Sequence, residues 1–360
     1  MALYLPNLTG GGTERTLLRL ATGFKANGWT PCLVVDQARG ELLAAAQADG
    51  IPLDSLGASR TLWALPRLAR WLREHRPAAL LSGITHNNVI AVWARAWARV
   101  PTRIILSEHT VLSLHGRMHD RWQYRVLPRL CGLTYPHAAA VVAISEIVAD
   151  NLASYAHLER RLITVIPNPV VMPDFAERIA APCPHPWLKS PDVPVIIAAG
   201  RLEPVKDFPL LLRAVAMLRQ SRRVRLVILG EGSQRSELLA LREHLGMTAD
   251  VDLPGFQADP LPFFARAAVL AVSSQYEGFG LTVVEALACG VPVVSTRCGG
   301  PTEILADGHY GWLTPVGDVP ALSAALGEAL EHPPETALLQ SRSQDYTLAA
   351  LTQRYLDLLA

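Results

Sequence analysis

The feature that most constrains the fold is the alternation of short apolar segments with longer amphipathic stretches along the chain. The short segments are apolar and β-prone, and the stretches between them carry apolar residues at helical spacing. Strands that alternate with helices in this way are typical of βα units and a parallel sheet. The predicted strands are 2–8, 31–35, 78–82, 102–107, 139–144, 162–166, 195–199, 224–229, 251–253, 269–273 and 292–296.

One proline-rich passage interrupts this alternation. It reads PNPVVMPDFAERIAAPCPHPWLKSPDVP and shows neither strand nor helix periodicity, so we predict a linker over 173–192. A chain of 360 residues also exceeds one typical domain. We therefore predict an α/β protein with two doubly wound Rossmann-like domains that face a cleft, 1–172 and 193–345. The helical pattern in 346–360 is predicted to pack back on the first domain.

Composition and cysteine usage exclude several classes of protein. Half of the residues are hydrophobic and 18% are charged, which excludes a disordered chain. The apolar runs are shorter than the roughly 18 residues that span a bilayer, and MALYLPNLTGGG lacks the features of a signal peptide. The five cysteines are scattered without CxxC spacing, which favours neither a disulfide framework nor zinc. We expect a cytoplasmic protein.

The segment SSQYEGFGLTVVEALACGVPVVST carries a carboxylate on each side of a glycine-containing turn. Glu277 follows a predicted buried strand, and Glu285 lies about one turn into a helix predicted over 282–288. The unpaired N–H groups at the start of that helix, from Phe279 to Thr282, suit an anion. The two acids therefore either cap the helix dipole or bind hydroxyl groups beside a bound phosphate.

A second loop of the same predicted domain carries two cations. Arg201 and Lys206 follow the strand at 195–199 in GRLEPVKDFPLLLRAV, and Asp207 is placed to cap the next helix. Ligands of doubly wound sheets bind beyond the carboxyl ends of the strands, where the loop at Glu277 is also expected. Two cations and a helix start predict a diphosphate site. The alternative is a pair of solvated surface charges.

Two features of the first predicted domain also follow strands. In TGGGTERTLLRLATGF, Gly10 to Gly12 form a turn that admits a ligand close to the backbone, and Thr13 is predicted to cap the helix. The spacing is not GxGxxG, so a plain tight turn is an equal alternative. In IILSEHTVLSLHG, His109 leaves a strand towards the predicted cleft, whereas Glu108 alternates away from it. A lone histidine is more often structural than catalytic.

The ranking of the histidines rests on where they follow strands. His109 comes first, ahead of His86, which also follows a strand, and ahead of His115, His119 and His137.

Motifs for metals and for ATP are weak or missing in the sequence. Asp250 and Asp252 form a DxD string, but they lie at the front of a predicted strand, away from the expected cleft. The sequence contains neither HExxH nor GxxxxGK[ST]. We predict that the protein uses no metal ion and no cofactor.

With these residues placed, the chain resembles glycosyltransferase family 4, a GT-B family of retaining enzymes that use nucleotide sugars. The resemblance runs almost end to end. It includes SEH at 107–109, VVAISEIVADNL at 141–152 and VIPNPV at 165–170. In the second half it includes GRLEPVKDF, LVILGEG, DLPGF and, most specifically, EGFGLTVVEALACGVPVVST with its E-x7-E spacing.

The resemblance implies a role for each residue of the donor site. Arg201 and Lys206 would hold the diphosphate with backbone amides, Glu285 would bind the ribose and Glu277 the hydroxyls of the sugar. Phe256 falls where the family seats the base. The amides belong to Phe279, Gly280, Leu281 and Thr282.

In the first domain, the resemblance implies that His109 contacts the transferred sugar near its reactive end. Gly11 and Gly12 would let the acceptor and the phosphate approach closely. The leaving phosphate oxygen would take the proton of the acceptor, so catalysis would be mostly electrostatic. No carboxylate would act as a nucleophile.

The implied activity transfers a hexose or N-acetylhexosamine from a nucleotide-diphosphate sugar to a glycan or lipid-linked saccharide. Two alternatives are a nucleotide-sugar 2-epimerase of the same architecture, which needs no acceptor, and a non-catalytic nucleotide- or glycan-binding module. The intact set of Arg201, Lys206, Glu277 and Glu285 argues against the module. Nucleic acid is not an expected partner.

The charge is distributed unevenly although the net charge is only +1. Residues 1–175 carry 18 Lys and Arg against 12 Asp and Glu, whereas the remainder carries 15 against 20. The segments 60–76 and 92–103 of the basic half combine arginine with tryptophan. The residues concerned are Arg60, Trp63, Arg67, Arg70, Trp71, Arg73, Arg76, Trp93, Arg95, Trp97, Arg99 and Arg103.

Two interpretations of these segments remain. In ordinary amphipathic helices the tryptophans would be core and the arginines solvated. Arginine and tryptophan together also suit an anionic headgroup layer, which predicts peripheral attachment to the inner face of a membrane.

Overall fold

The computed structural model describes residues 1–59, 61–113, 122–189 and 192–359 and divides into two compact units. Unit 1 comprises Met1–Pro169 and Leu348–Ala360, and unit 2 comprises Val170–Thr347. Arg60, His115 and His119 lie outside the described residues.

Within its described residues, unit 1 contains a seven-stranded sheet in the order β3-β2-β1-β4-β5-β6-β7, and all of its pairings are parallel. The strands are β1 (Ala2–Leu5), β2 (Cys32–Val35), β3 (Leu53–Ser55), β4 (Ala79–Ser82), β5 (Arg103–Glu108), β6 (Ala140–Ala143) and β7 (Ile163–Val165). The central strands are buried on both faces, as in a sheet covered by helices.

Helices connect consecutive strands of unit 1. They are α1 (Gly12–Ala26), α2 (Leu43–Ala48), α3 (Thr61–His75), α4 (Thr85–Ala98), α5 (Trp122–Thr134) and α6 (Glu146–Ala156). The fully buried side chains of Leu3, Leu17, Phe24 and Leu33 belong to one continuous core between the sheet and these helices. Burial of each such side chain contributes roughly 1.5 to 3 kcal/mol.

Within its described residues, unit 2 contains a six-stranded sheet in the order β10-β9-β8-β11-β12-β13, again with parallel pairings throughout. The strands are β8 (Val195–Ala199), β9 (Arg225–Leu229), β10 (Val251–Gly255), β11 (Val269–Val272), β12 (Val293–Thr296) and β13 (Trp312–Thr314). The predicted parallel α/β arrangement is therefore present in both units.

The helices of unit 2 cover its sheet. They are α7 (Phe175–Ala180), α8 (Pro186–Lys189), α9 (Phe208–Leu218), α10 (Arg235–His244), α11 (Leu261–Phe264), α12 (Leu281–Ala288), α13 (Gly300–Ile304), α14 (Val319–Glu331) and α15 (Thr336–Ser343). The core of this unit joins Ile196, Leu211, Leu226 and Leu326.

Two strands were missing from the predicted set, and both lie at a sheet edge. β3 reads LDS and β13 reads WLT, and neither is a fully buried run of apolar residues. β3 pairs with β2, and β13 pairs with β12, so each strand has a neighbour along one edge. A strand in this position does not need apolar residues throughout. Short edge strands of this kind leave little pattern in a sequence.

The proline-rich segment at 173–192 contains α7 and α8 and is grouped with unit 2, so the units divide at Pro169 and Val170 instead. Arg178 of α7 forms a bidentate ion pair with Asp259, with both N–O distances at 2.9 Å. Specific polar contacts therefore hold in place a segment whose sequence shows neither helix nor strand periodicity.

The C-terminal helix α16 (Leu348–Asp357) belongs to unit 1 and packs on α1. Tyr355 is buried and its ring meets the edge of Phe24, with centroids 6.4 Å apart. Arg103 of β5 donates hydrogen bonds to the carbonyl groups of Leu358 and Leu359 at 2.8 and 2.6 Å. These contacts attach the end of the chain to the sheet of unit 1.

Candidate functional site

The strand order of unit 2 reverses between β8 and β11. From β8 the chain continues to β9 on one side, and from β11 it continues to β12 on the other. Loops that leave neighbouring strands in opposite directions open a crevice at their carboxyl ends, where ligands of doubly wound sheets bind. The loop after β8 carries Arg201 and Lys206, and the loop after β11 carries Glu277.

These two loops meet at an ion pair. The ammonium group of Lys206 contacts the Oε1 atom of Glu277, and the two side chains are only 21% and 18% exposed. Ser274 donates its hydroxyl hydrogen to the same oxygen at 2.8 Å. The backbone amide of Gln275 donates to the carbonyl of Val205 at 2.8 Å and joins the loops a second time. The structure thus brings together one predicted phosphate ligand and one predicted sugar ligand.

The turn that contains Glu277 is fixed by its backbone. The amide of Glu277 donates to the carbonyl of Cys298 at 2.7 Å, and the amide of Gly300 donates to the carbonyl of Glu277 at 3.0 Å. Gly280 precedes α12 with a φ of 108°, a conformation that favours glycine. Because the first amides of a helix have no intrahelical acceptor, those of Leu281 and Thr282 remain available to an anion.

Phe279 differs from its neighbours in this turn. Its side chain is buried and meets the ring of Tyr346 edge-on, with centroids 5.8 Å apart. Phe279 can therefore offer only its backbone amide to a ligand.

The other predicted donor residues of unit 2 differ in exposure. Arg201 is exposed, Phe256 follows β10 with 60% of its surface exposed, and Glu285 is half-buried in α12. Asp207 accepts a hydrogen bond from the amide of Leu210 at 3.3 Å, which confirms the predicted cap of α9.

The contact between Glu203 and Ser233 was not predicted. The carboxylate of Glu203 accepts hydrogen bonds from the hydroxyl of Ser233 at 2.8 Å and from its amide at 3.2 Å. These bonds, with a smaller contribution from the charge of Arg201, hold the pKa of Glu203 below its ordinary value. They tie the loop after β8 to the loop after β9, and no local motif signals such a pairing.

The glycine-rich turn of unit 1 corrects one prediction. Gly11, not Thr13, occupies the N-cap of α1, and none of the described side chains caps this helix. Thr13 lies inside the first turn with its methyl group against Gly83. The carboxylate of the buried residue Glu14 lies over Gly11, so a side chain covers this backbone.

His109 lies directly after β5 and is partly buried. Its Nε2 atom is 3.0 Å from the hydroxyl oxygen of Ser107, and burial lowers the pKa of His109 to about 3. The neighbouring Glu108 is fully buried, and its carboxylate accepts hydrogen bonds from Thr85 at 2.7 Å and Tyr135 at 2.9 Å. Burial raises the pKa of Glu108 to about 7. The carboxylate of Glu108 therefore points into the interior of unit 1.

The two aspartates of the DxD string contact different partners. Asp250 forms an ion pair with Arg219, directly after α9, whereas Asp252 contacts Nε2 of His185 at 3.0 Å. Each carboxylate therefore already has its own structural partner.

Two family models match the chain. The model described as Glycosyltransferase Family 4 matches residues 10–172. The model described as Glycosyl transferases group 1 matches residues 184–345.

Curated relatives are similar over part of their length. The lipopolysaccharide core biosynthesis glycosyltransferase LpsE of Rhizobium meliloti is 34% identical over 174 residues, which are 47% of this chain and 50% of that protein. The N-acetylgalactosamine-N,N'-diacetylbacillosaminyl-diphospho-undecaprenol 4-alpha-N-acetylgalactosaminyltransferase of Campylobacter jejuni is 30% identical over 245 residues, 68% of this chain and 64% of that protein. The chain thus spans about half to two thirds of the length of these relatives.

The solved structure of Anabaena HepE in complex with UDP and glucose is similar over nearly the whole chain. The TM-score is 0.80 at 22% identity, and the match covers 99% of this chain and 98% of that chain. With the two parallel sheets, this likeness defines the class: the protein has the predicted GT-B fold of two Rossmann-like domains. The two matched domains identify the family, and the chain belongs to the family 4 glycosyltransferases.

Proposed function

We propose that this protein is a retaining glycosyltransferase that moves a hexose or N-acetylhexosamine from a nucleotide-diphosphate sugar to a glycan or lipid-linked saccharide. The observation that carries the proposal is the meeting of Lys206 and Glu277 at the strand-order reversal of unit 2. A cation and a carboxylate at one crevice match a ligand with phosphate at one end and hydroxyl groups at the other.

The names of the relatives support the substrate classes. The Campylobacter protein is named for transfer to a diphospho-undecaprenol-linked saccharide, and the Rhizobium protein for lipopolysaccharide core synthesis. The structure of HepE contains UDP and glucose. These names favour a nucleotide-sugar donor and a lipid-linked or polysaccharide acceptor.

The proposed donor site uses the charges and amides of unit 2. Arg201, Lys206 and the amides at the start of α12 bind the diphosphate, and Glu285 binds the ribose hydroxyls. Phe256, whose ring is exposed, stacks on the base, and Glu277 binds the hydroxyls of the sugar.

The proposed chemistry is the departure of the nucleoside diphosphate with retention at the anomeric carbon. The bond from that carbon to the phosphate oxygen breaks while the acceptor oxygen bonds on the same face, and the phosphate oxygen takes the proton of the acceptor. Because negative charge grows on the phosphate, preorganised cations and amides stabilise the transition state more than the ground state. His109 contacts the transferred sugar from unit 1.

The activity can be tested with purified protein. Nucleoside diphosphates and their sugars are first screened by thermal shift, because a ligand at about 100 times its dissociation constant adds roughly 2.7 kcal/mol. The stabilising sugar nucleotide is then incubated with saccharide acceptors, with and without a chelator. We expect a product with the anomeric configuration of the donor and equal rates in chelator.

Other outcomes of this experiment distinguish the alternatives. Conversion of the donor without an acceptor identifies an epimerase, and binding without any turnover identifies a binding module. Inversion at the anomeric carbon contradicts the retaining mechanism. Loss of activity in chelator contradicts the metal-free mechanism and makes Asp250 and Asp252 candidate metal ligands.

We also propose that unit 1 binds an anionic membrane surface through α3 and α4. The two helices pack on each other, and Trp63, Trp93 and Trp97 are 61%, 40% and 54% exposed, whereas Trp71 is buried. The core interpretation of these tryptophans therefore fits only Trp71. A surface cavity of about 520 Å³ at the ends of the two helices is lined by Trp97 and by two arginines, Arg73 and Arg99.

The helices of the described residues contain no stretch that is both long and apolar enough to cross a bilayer. Each basic side chain near an anionic surface contributes about 1 kcal/mol, and exposed indole rings insert at the headgroup level.

Vesicle co-sedimentation tests the membrane proposal. Binding is expected to rise with anionic lipid, to fall with salt, and to weaken roughly tenfold or more when Arg70 and Arg73 are both changed to Glu. Arg213→Glu with Arg223→Glu, two exposed positions of unit 2, is the matched control. Equal binding to neutral vesicles, or an equal loss in the control, contradicts a specific surface on unit 1.

A further inference from the structure

A short chain of hydrogen bonds joins the C-terminal helix to His109. The hydroxyl groups of Tyr355 on α16 and Ser107 on β5 are 3.1 Å apart, and the hydroxyl of Ser107 is 3.0 Å from Nε2 of His109. Ser107 and Tyr355 are both fully buried. All three residues belong to unit 1, so the chain of bonds lies within one compact unit.

The direction of these bonds follows from the donors available. Among the described residues, the hydroxyl of Tyr355 has Ser107 as its hydrogen-bond partner, and burial raises the pKa of Tyr355 to about 12. The hydroxyl of Tyr355 therefore stays protonated at neutral pH. It donates a hydrogen bond to the oxygen of Ser107, because a buried donor without an acceptor costs free energy. Ser107 then directs its own hydrogen to Nε2 of His109.

This direction determines where His109 carries its proton. A ring nitrogen that accepts a hydrogen bond has no hydrogen, so a neutral imidazole with an accepting Nε2 is protonated at Nδ1. His109 stays neutral because its surroundings are desolvated.

We propose that Ser107 and Tyr355 are positioning residues that hold the imidazole of His109 in one orientation and in the Nδ1–H tautomer. His109 then offers Nδ1–H as a hydrogen-bond donor to an oxygen of the transferred sugar. This last step rests on the proposed function, whereas the tautomer follows from unit 1 alone.

The backbone at His109 is held separately from the ring. The carboxylate of Glu108 accepts hydrogen bonds from Thr85 and Tyr135, and its backbone carbonyl accepts one from the amide of Ile144 at 3.3 Å. The bond between Ser107 and Tyr355 is therefore not needed to hold the loop.

The attachment of α16 is also independent of the Tyr355 hydroxyl. The ring of Tyr355 packs on Phe24, and Leu351 is fully buried. Arg103 donates hydrogen bonds to the carbonyl groups that follow the helix. Tyr355→Phe keeps the ring contact, so we expect this variant to fold.

Nuclear magnetic resonance of ¹⁵N-histidine-labelled protein tests the tautomer directly. His109 is assigned by comparison with His109→Gln, and long-range proton–nitrogen spectra identify which ring nitrogen carries the proton. We expect Nδ1 to be protonated and Nε2 unprotonated, without change from pH 5 to 8. Protonation at Nε2, or a titration in this range, overturns the assignment whether or not a glycosyl transfer is ever found.

Two variants with matched controls test the positioning role. Ser107→Ala should lower kcat roughly five- to tenfold at unchanged KM for the donor, the effect of one hydrogen bond, and Tyr355→Phe should have a smaller effect in the same direction. The control for serine is Ser82→Ala in β4, because the buried hydroxyl of Ser82 has no partner among the described residues. The control for tyrosine is Tyr155→Phe on α6, a partly exposed position.

The outcomes separate positioning from packing. The proposal requires that Ser107→Ala change the tautomer signals and kcat while its thermal unfolding stays close to that of Ser82→Ala. If Ser107→Ala and Ser82→Ala behave alike in both the spectrum and kcat, Ser107 has no positioning role. If the wild-type tautomer is as expected but no sugar transfer occurs, the proposed function fails and the hydrogen-bond assignment stands.

Discussion

Replacement of Arg201 or Lys206 by alanine is expected to lower turnover by roughly two to three orders of magnitude, the effect of removing one preorganised electrostatic donor. Both residues lie on the loop after β8, and Lys206 reaches the loop after β11 through Glu277. In the proposed mechanism, the charge that they neutralise develops on the leaving phosphate, so the loss should fall mainly on kcat. Steady-state kinetics with the donor found in the thermal-shift screen measures this effect.

The two variants should differ in stability, which provides an internal check. Arg201 is exposed, so its removal should leave the unfolding temperature almost unchanged. Removal of Lys206 leaves the partly buried carboxylate of Glu277 without its cation, at a cost of about 1 to 3 kcal/mol. Arg213→Ala, an exposed arginine of α9, serves as the control. Near-normal turnover in both variants contradicts the phosphate site.

The periodicity of the sequence was sufficient to predict the parallel sheets because each central strand is an apolar run between two helices. The position of the candidate site followed from the same pattern, since loops after β8 and β11 must lie at one edge of a parallel sheet. The cap at Asp207 could be predicted because a cap and its helix are adjacent in sequence.

Contacts between distant segments could not be predicted in this way. Ser107 and Tyr355 are 248 positions apart, and Lys206 and Glu277 are 71 apart. Their meeting depends on how helices and loops pack on the sheet, which no local pattern specifies. The error at Thr13 has a related cause, because the methyl group of Thr13 packs against Gly83 of another βα unit.

The loops of the candidate site also depend on a close backbone contact that the sequence shows only as a glycine. Gly230 follows β9 with a φ of 137°, and a Cβ atom there would overlap the carbonyl oxygen of Gly200, directly after β8. The amide of Gly200 in turn donates to the carbonyl of Leu229 at 3.0 Å. A side chain at position 230 would therefore force apart the two strands that support Arg201 and Lys206.

Gly230→Ala is accordingly expected to destabilise unit 2 by about 2 to 5 kcal/mol, from backbone strain and overpacking together. Gly246→Ala is the matched control, because Gly246 also has a positive φ, 67°, but an added Cβ would meet nothing within 4 Å. The control should lose only about 1 kcal/mol. Urea denaturation measures the total effect, and hydrogen exchange in peptides that span β8 and β9 locates it. The overlap involves backbone atoms, which cannot move aside as a flexible side chain can. Equal losses of unfolding free energy in the two variants would therefore show that the loops after β8 and β9 are not held in close contact.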